Sequence, residues 1–204
     1  MSHFSIVRDA TRELRSHLFR AISSAPDVDF QFTDETTDII LAAPESENPA
    51  SAKLSIYLYS IEVDPQLRNQ HPLPVGSTGL VRPPLALRLH YLVTPLRTGE
   101  DLNHLILGRV MQALHDKPVI DTIGGAPMDD SRGGGNAAMR LSLQPMRLED
   151  IARIWHAMGS DYRLSVAYEM RTVMVDSALD PDSADRVVES HVLVGDRAMA
   201  GSAP

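Results

Sequence analysis

The sequence predicts an α+β protein in which a mostly antiparallel sheet packs with about three helices. Apolar residues recur at helical spacing in some segments and alternate with polar residues in others. These segments are interspersed, but helices do not lie between every pair of strands, as a doubly wound parallel sheet would require. Hydrophobic residues make up 43% of the 204 residues, so the chain is long and apolar enough to bury a sizeable core.

Three segments have the three- and four-residue apolar spacing of amphipathic helices: 4–22, 101–115 and 148–158. Pro26 and Pro118 end the first two, and Gly159 suits the left-handed cap at the end of the third. The apolar stripe of the second helix includes Leu105 and Met111, and that of the third begins at Leu148. We expect these stripes to face the sheet.

Five segments are predicted to be strands: 28–32, 53–63, 85–94, 139–144 and 162–175. Residues 119–120 form either a short further strand or an apolar plug in the core. In 53–63 both faces are apolar, with Ile56 and Leu58 on one and Tyr59 and Ile61 on the other. This pattern predicts a central strand that is covered on both sides.

Three stretches read as loops: a polar loop at 44–52, a Pro/Gly-rich loop at 70–84, and a Gly-rich segment at 124–137 that is flexible or the tip of a long hairpin. We divide the chain into a domain at 1–176 and a C-terminal extension at 177–204, partly ordered or disordered. The apolar run at 187–194 in this extension is a candidate extra strand.

The residue patterns do not support catalysis or cofactor binding. The chain has no cysteine, and its Gly-rich segment matches neither phosphate-binding motif. His104 and His115 share a helix face but would stand roughly 16 Å apart, too far for one metal ion. No nucleophile elbow is present, and Ser55, Ser60 and Ser165 fall in predicted strands. We therefore predict no catalytic residue, cofactor or metal, and we keep an enzyme with an unrecognised site as a remote alternative.

Charge and hydropathy limit the partners. The net charge is −8 and no Lys/Arg cluster occurs, so nucleic-acid binding is not expected. No apolar stretch approaches the roughly 20 residues of a membrane helix, and the N-terminal residues lack the apolar region of a signal peptide. We expect the protein to assemble in the cytoplasm, and a particle freed by lysis would carry it outside the cell.

The remaining features suit a protein that assembles with others, because exposed strand edges and arms pair readily between subunits. Residues in the loops and in the extension form the candidate assembly interface: Arg68, Asn69, Arg132, Val188, Val192 and Val194.

Three groups of segments carry a resemblance to a known family: 54–59 with Arg68 and Asn69; 84–94 with 107–108 and 113–120; and 148–155 with 162–170. In their order and in their residue sequences, these segments resemble the N-terminal domain of tail terminator, or cap, proteins. Those proteins belong to extracellular contractile injection systems of the virulence-cassette and antifeeding-prophage type. The resemblance covers about residues 4–175.

The resemblance implies a fold similar to that of phage tail terminator domains. It also implies a homo-oligomer, a hexameric ring on the distal end of the inner tube and sheath, which ends polymerisation and stabilises the particle. It supplies no catalytic residues. Another phage-tail-like component, such as a connector or tube-completion protein, is the alternative.

Overall fold

The computed structural model describes residues 3–26, 28–45, 48–75, 79–128, 138–178 and 182–183. A short 3-10 turn at His3–Ser5 leads into the helices, which are α1 (Ile6–Ser23), α2 (Glu35–Asp38), α3 (Glu100–Asp116) and α4 (Leu148–Met158). The strands are β1 (Ile39–Ile40), β2 (Leu54–Val63), β3 (Leu73–Val75), β4 (Gly79–Val81), β5 (Leu85–Pro95), β6 (Val119–Ile120), β7 (Thr122–Ile123), β8 (Ala126–Pro127), β9 (Met139–Leu143), β10 (Val166–Val175) and β11 (Asp182–Ser183).

Six of the strands form the main sheet, in the order β1-β2-β5-β10-β9-β6. Only β1 runs parallel to its neighbour, and the other pairs in this sheet are antiparallel. Three long helices and the short α2 accompany the sheet. The predicted α+β class is therefore confirmed.

The helices cover the two faces of the main sheet separately. Helices α1 and α3 bury Leu14, Leu18 and Ile106 against a face that includes Leu89 and Tyr91 of β5. We call this the α1 face. Helix α4 buries Trp155 against Leu92 and Ala167 on the opposite, α4 face. Alternation along β5 and β10 explains how one strand contributes side chains to both layers.

Two polar contacts tie α1 to the rest of this layer. The Thr11 and Tyr91 hydroxyls lie 2.8 Å apart, and Arg109 Nε of α3 donates to the Ala21 carbonyl at 2.9 Å. Burial raises the pKa of Tyr91 to about 12, although the hydrogen bond with Thr11 opposes this shift. Tyr91 therefore stays neutral and packs as a core residue.

The predicted strand at 28–32 is wrong. Residues 28–34 have no regular secondary structure, and Gln31 adopts a left-handed backbone conformation with φ of 58°. The Gln31 amide donates to Asp29 Oδ1 at 2.8 Å, which is a local turn. Phe30 and Phe32 are nevertheless buried in the core. Their alternation reflected two aromatic side chains that reach the core from an irregular segment.

The central position predicted for β2 is also wrong, because β5 and β10 lie at the centre of the sheet. The pairing of β2 with β5 shifts between Leu58 and Ser60, and this bulge places Ile61 opposite Leu89. Ile61 is therefore on the face of Ile56 and Leu58, not on that of Tyr59 as the alternation predicted. A single extra residue in a strand reverses the faces of everything that follows.

Several predicted apolar positions are exposed in the structure. Leu105 and Met111 of α3 and Leu148 of α4 all face outward, whereas Leu107 and Ala113 are buried instead. The third strong strand begins at Val166, later than the predicted 162. The short strand at Val119–Ile120 and the Gly159 cap, with φ of 68°, are confirmed.

The Pro/Gly-rich stretch at 70–84 is more ordered than predicted. It contains β3 and β4, which pair with each other, and β11 adds to the outer side of β4. The Gly-rich segment begins with the small hairpin of β7 and β8 around Gly124 and Gly125, and residues 129–137 lie outside the described part of the chain.

Candidate assembly surface

The distal end of the main sheet, where β2 ends at Val63 and β5 begins at Leu85, holds the predicted interface residues that the structure describes. Arg68 and Asn69 lie in the turn that follows β2, and both are exposed. Arg132, Val188, Val192 and Val194 lie outside the described residues. The structure therefore describes two of the six candidates, which are adjacent in the chain, and all six remain predictions.

The turn that presents Arg68 and Asn69 is anchored by Asp64. Its backbone amide donates to the Ala86 carbonyl at 2.9 Å, and its carbonyl accepts from the Leu67 amide at 3.2 Å. The side-chain Oδ1 accepts from the Gln66 amide at 3.0 Å. These bonds hold the turn against the start of β5.

A row of alternating charges runs from Asp64, just after β2, across β5 to β10. Arg88 Nη2 donates to Asp64 Oδ1 at 2.9 Å, and its Nε lies 3.5 Å from Glu169 Oε1. Arg171 Nη2 then donates to the other Glu169 oxygen at 2.9 Å. Asp64 and Glu169 are buried, with side chains 5% and 9% exposed. The hydrogen bond from Arg88 holds the pKa of Asp64 below its ordinary value, so Asp64 is charged near neutral pH.

The α1 face of the distal end is apolar and only partly covered. Ile61, Val63 and Leu85 are 50%, 43% and 49% exposed. Their pairings with Leu89, Leu87 and Val175 place all three on the same face. We call these three residues the apolar strip. Single exposed apolar residues are ordinary, but neighbouring ones on one sheet face are typical of contact surfaces.

The outer edge of β2 is open over most of its length. Strand β1 pairs only with Leu54 and Ser55, and no described strand pairs with that edge from Ile56 to Val63. An edge of this kind presents backbone amides and carbonyls that another extended chain can pair with. The open edge and the apolar strip meet at Ile61 and Val63.

The residue patterns alone did not reveal the apolar strip or the charge row. The strip was missed because the bulge in β2 moves Ile61 to the other face. The charge row had a signal, since Arg88 lies in β5, and Glu169 and Arg171 lie in β10, among mainly apolar residues. Opposite charges in such strands favour cross-strand pairing, but the sequence alone does not indicate which strands are neighbours.

The side chains of His90, Ser55 and Ser165 are engaged in structural contacts. His90 Nδ1 lies 3.0 Å from Gln144 Oε1, which also accepts from the Tyr59 hydroxyl at 3.2 Å. Ser55 donates to the Ala42 carbonyl at 2.6 Å, and Ser165 lies 2.9 Å from the Thr94 hydroxyl. Within the described ranges, no cluster of three or more His, Cys, Asp or Glu side chains could hold a metal ion.

Among the helices of the described residues, none combines the length and the apolar character needed to cross a membrane.

Two solved structures share this fold over most of the chain. The first is the PVC sheath/tube terminator of an extracellular contractile injection system in its extended state. It is 18% identical, with a TM-score of 0.55, and the match covers 91% of this chain and 62% of that chain. The second is the anti-feeding prophage cap, a tube terminating cap. It is 19% identical, with a TM-score of 0.57, and the match covers 88% of this chain and 59% of that one.

At these identities the likeness is one of fold, and the chain spans about three fifths of the length of each relative. No curated protein is similar enough in sequence to count as a relative. The family model for the Pvc16 N-terminal domain matches residues 9–189, nearly the whole of the chain. On this match, supported by the shared fold, the chain belongs to the Pvc16 N-terminal domain family.

Proposed function

We propose that this protein is a structural cap that forms a ring on the distal end of the inner tube and sheath of a contractile injection system. It ends polymerisation of both and stabilises the particle. The observation that carries the proposal is the fold, which is shared over most of the chain with a sheath/tube terminator and with a tube terminating cap. Membership of the Pvc16 N-terminal domain family supports it.

The physical mechanism we propose is occupation of the growing end. A tube or sheath grows because each added ring presents the same contact surface again. A cap that matches the last ring on one side, and offers no such surface on the other, stops growth without any bond being made or broken. A hexameric ring would match a sixfold polymer. In this protein, exposed features lie on one side of the molecule, where β2 ends and β5 begins. They suit a surface that contacts another ring.

We propose that Arg68 and Asn69 contribute to this contact, together with Arg132 and with Val188, Val192 and Val194 of the extension. The support for Arg68 and Asn69 is that they are exposed in a turn fixed by Asp64 and Arg88. A preorganised turn loses little conformational entropy on binding. The extension, or the open edge of β2, would pair with the arms of sheath subunits.

A role without catalysis or cofactor is supported by the structural contacts of His90, Ser55 and Ser165. The net charge of −8 argues against a nucleic-acid partner. We place assembly in the cytoplasm, with release of the particle on lysis.

The experiment that tests the proposal is removal of this protein from cells that produce the particle. We expect tubes and sheaths of uncontrolled length, or particles that fall apart at one end, when these are imaged by electron microscopy. A label on the protein should lie at that same end, whereas a connector or tube-completion protein would be found elsewhere. Full-length, stable particles in its absence would contradict the cap function.

Variants returned to these cells test the interface. Arg68→Glu reverses a charge in the anchored turn, and we expect it to reduce capping while the domain stays folded. The matched control is Arg153→Glu, an exposed arginine on α4, which should cap normally. Deletion of 184–204 should weaken sheath binding and leave the domain folded. Normal capping by the Arg68→Glu variant and by the deletion variant would exclude these residues from the contact.

A further inference from the structure

Helix α4 is held to the main sheet by fewer buried side chains than the other two long helices. Of its 11 residues only Trp155 is buried, whereas α1 buries five of 18 and α3 six of 17. Ile151, Ile154 and Met158 are partly buried around Trp155. This small apolar cluster is separate from the core under α1 and α3. The packing of α4 therefore depends mainly on one side chain.

Polar contacts add little to this packing. Within the described residues, no side chain of α4 forms a hydrogen bond or an ion pair, and the buried indole Nε1 of Trp155 has no partner. An unpaired buried donor lowers the stability of the docked helix. Just before the helix, the Tyr59 hydroxyl lies 3.6 Å from the sulfur of Met146, which is a weak acceptor. Helix α1, by contrast, is tied to Tyr91 and to Arg109.

The place of α4 in the chain allows it to move without disturbing the sheet. It lies in the connection between β9 and β10, which are neighbouring antiparallel strands. Both ends of this connection are anchored. The Gln144 amide donates to the Ala167 carbonyl at 2.8 Å, and the Ser165 hydroxyl lies 2.9 Å from that of Thr94. Residues 145–164 lie between the anchors and contribute no strand, so their displacement breaks no pairing of the sheet.

The helix itself has little support once it leaves the sheet. Its N-cap residue, Arg147, makes no side-chain cap hydrogen bond, and the helix stops at Gly159 in the left-handed conformation. Residues 160–165 after it have no regular secondary structure. Isolated helices shorter than roughly 12 residues are marginal in water. The docked position of Trp155 therefore stabilises the helix as well as its attachment.

We propose that residues 145–164 form a flap, latched by Trp155, that opens as a unit while the main sheet stays folded. In the closed state Trp155 covers Leu92 and Ala167, and opening uncovers both. The flap thus gives the α4 face of the sheet an apolar surface that is hidden until the latch is released. The device belongs to the free protein and does not rest on the cap function.

The natural, full-length protein allows a direct test, because Trp155 is the only tryptophan and its fluorescence reports the flap. In urea the fluorescence should change at a lower concentration than the far-UV circular dichroism, because the flap opens before the sheet unfolds. In native-state hydrogen exchange, the amides of α4 should be at least about 100-fold less protected than those of β5 and β10. Their exchange should also depend less on urea, since opening exposes less surface. Amides of α4 with the same protection and urea dependence as β5 would overturn the proposal.

Two truncations separate the flap from the core. Trp155→Ala should remove the protection of the α4 amides and change that of β5 and β10 by less than about tenfold. Leu18→Ala, a matched truncation of a buried side chain on the α1 face, should instead lower the protection of β5 and β10. Loss of protection throughout the Trp155→Ala variant, or its failure to fold, would place Trp155 in the common core and overturn the flap. Tube length in cells without the protein tests the cap function separately.

Discussion

Two buried aspartates each hold a loop against the main sheet. Asp38 forms an ion pair with Lys53 at 2.8 Å, and its other oxygen accepts from the backbone amides of Thr33 and Asp34. Asp64 does the same for the turn after β2, through Arg88 and the Gln66 amide. A buried charge is costly unless it is paired and hydrogen-bonded, so these carboxylates depend on their partners.

Replacing Asp64 tests this dependence. Asp64→Asn removes the negative partner of Arg88 and keeps the size of the side chain. We expect a loss of about 2 kcal/mol in the free energy of unfolding at pH 7. The loss should not be larger, because Arg88 keeps Glu169 as its remaining partner. Urea unfolding measures this loss. Glu62→Gln, at an exposed carboxylate in the same region, should change stability by less than about 0.5 kcal/mol.

The effect of Asp64→Asn should depend on pH in a defined direction. The pKa of Asp64 is lowered in the fold from its ordinary value of 3.8. Its stabilising contribution is therefore complete above about pH 4 and is lost as the pH falls through the folded pKa. The stabilities of the natural protein and the variant should converge in acid. A difference that stays constant from pH 7 to pH 2 would show that Asp64 acts through packing alone.

At the scale of elements, residues 28–32 and strand β2 have a structure that differs from the one their local pattern predicts. The alternation at 28–32 indicated a strand, but Gln31 turns the chain into the left-handed region. In β2 the alternation was correct up to Leu58, and the bulge then reversed it. Phe30 and Phe32 still reach the core, whereas the bulge in β2 leaves Ile61 half exposed.

Substitutions at Gln31 distinguish the two conformations. In the structure its φ of 58° strains any residue with a Cβ, and β-branched residues most of all. Gln31→Gly should therefore keep or raise the free energy of unfolding, by up to about 1 kcal/mol. Gln31→Val, a better strand former, should lower it by about 1–2 kcal/mol.

Gln31→Ala is the control in this series, because it removes the same side-chain atoms as Gly but retains Cβ. Thermal or urea unfolding of the three variants gives the order. If the valine variant were the most stable of the three, residues 28–32 would be extended after all.

At the scale of the whole molecule, several exposed features meet at the distal end of the main sheet. It combines the anchored turn with Arg68 and Asn69, the apolar strip, and the open edge of β2. Helices pack against both faces of the sheet around Tyr91 and Leu92. A molecule with one such end is suited to directional contact, which is the geometry that termination of a polymer requires.

Polar replacement of the strip tests this idea. Ile61→Ser with Val63→Ser should cost only about 1–2 kcal/mol of stability, because both side chains are about half exposed. Incorporation into particles should fall sharply. Leu148→Ser, at a more exposed position on α4, should leave incorporation unchanged. A folded double variant that caps tubes normally would remove the strip from the contact surface.

Local spacing was enough to predict the three long helices, the strands around 54–63 and 85–95, the Gly159 cap and the α+β class. These depend on hydrogen bonds and side-chain contacts between residues close in the chain, which leave a period in the sequence. Of the candidate surface, Arg68 and Asn69 were named from the sequence and remain predictions. The order of the strands, the reversal at Ile61 and the pairing of Arg88 with Asp64 and Glu169 required the folded chain. Such features depend on contacts between residues far apart in sequence, and no local period records which of them will meet.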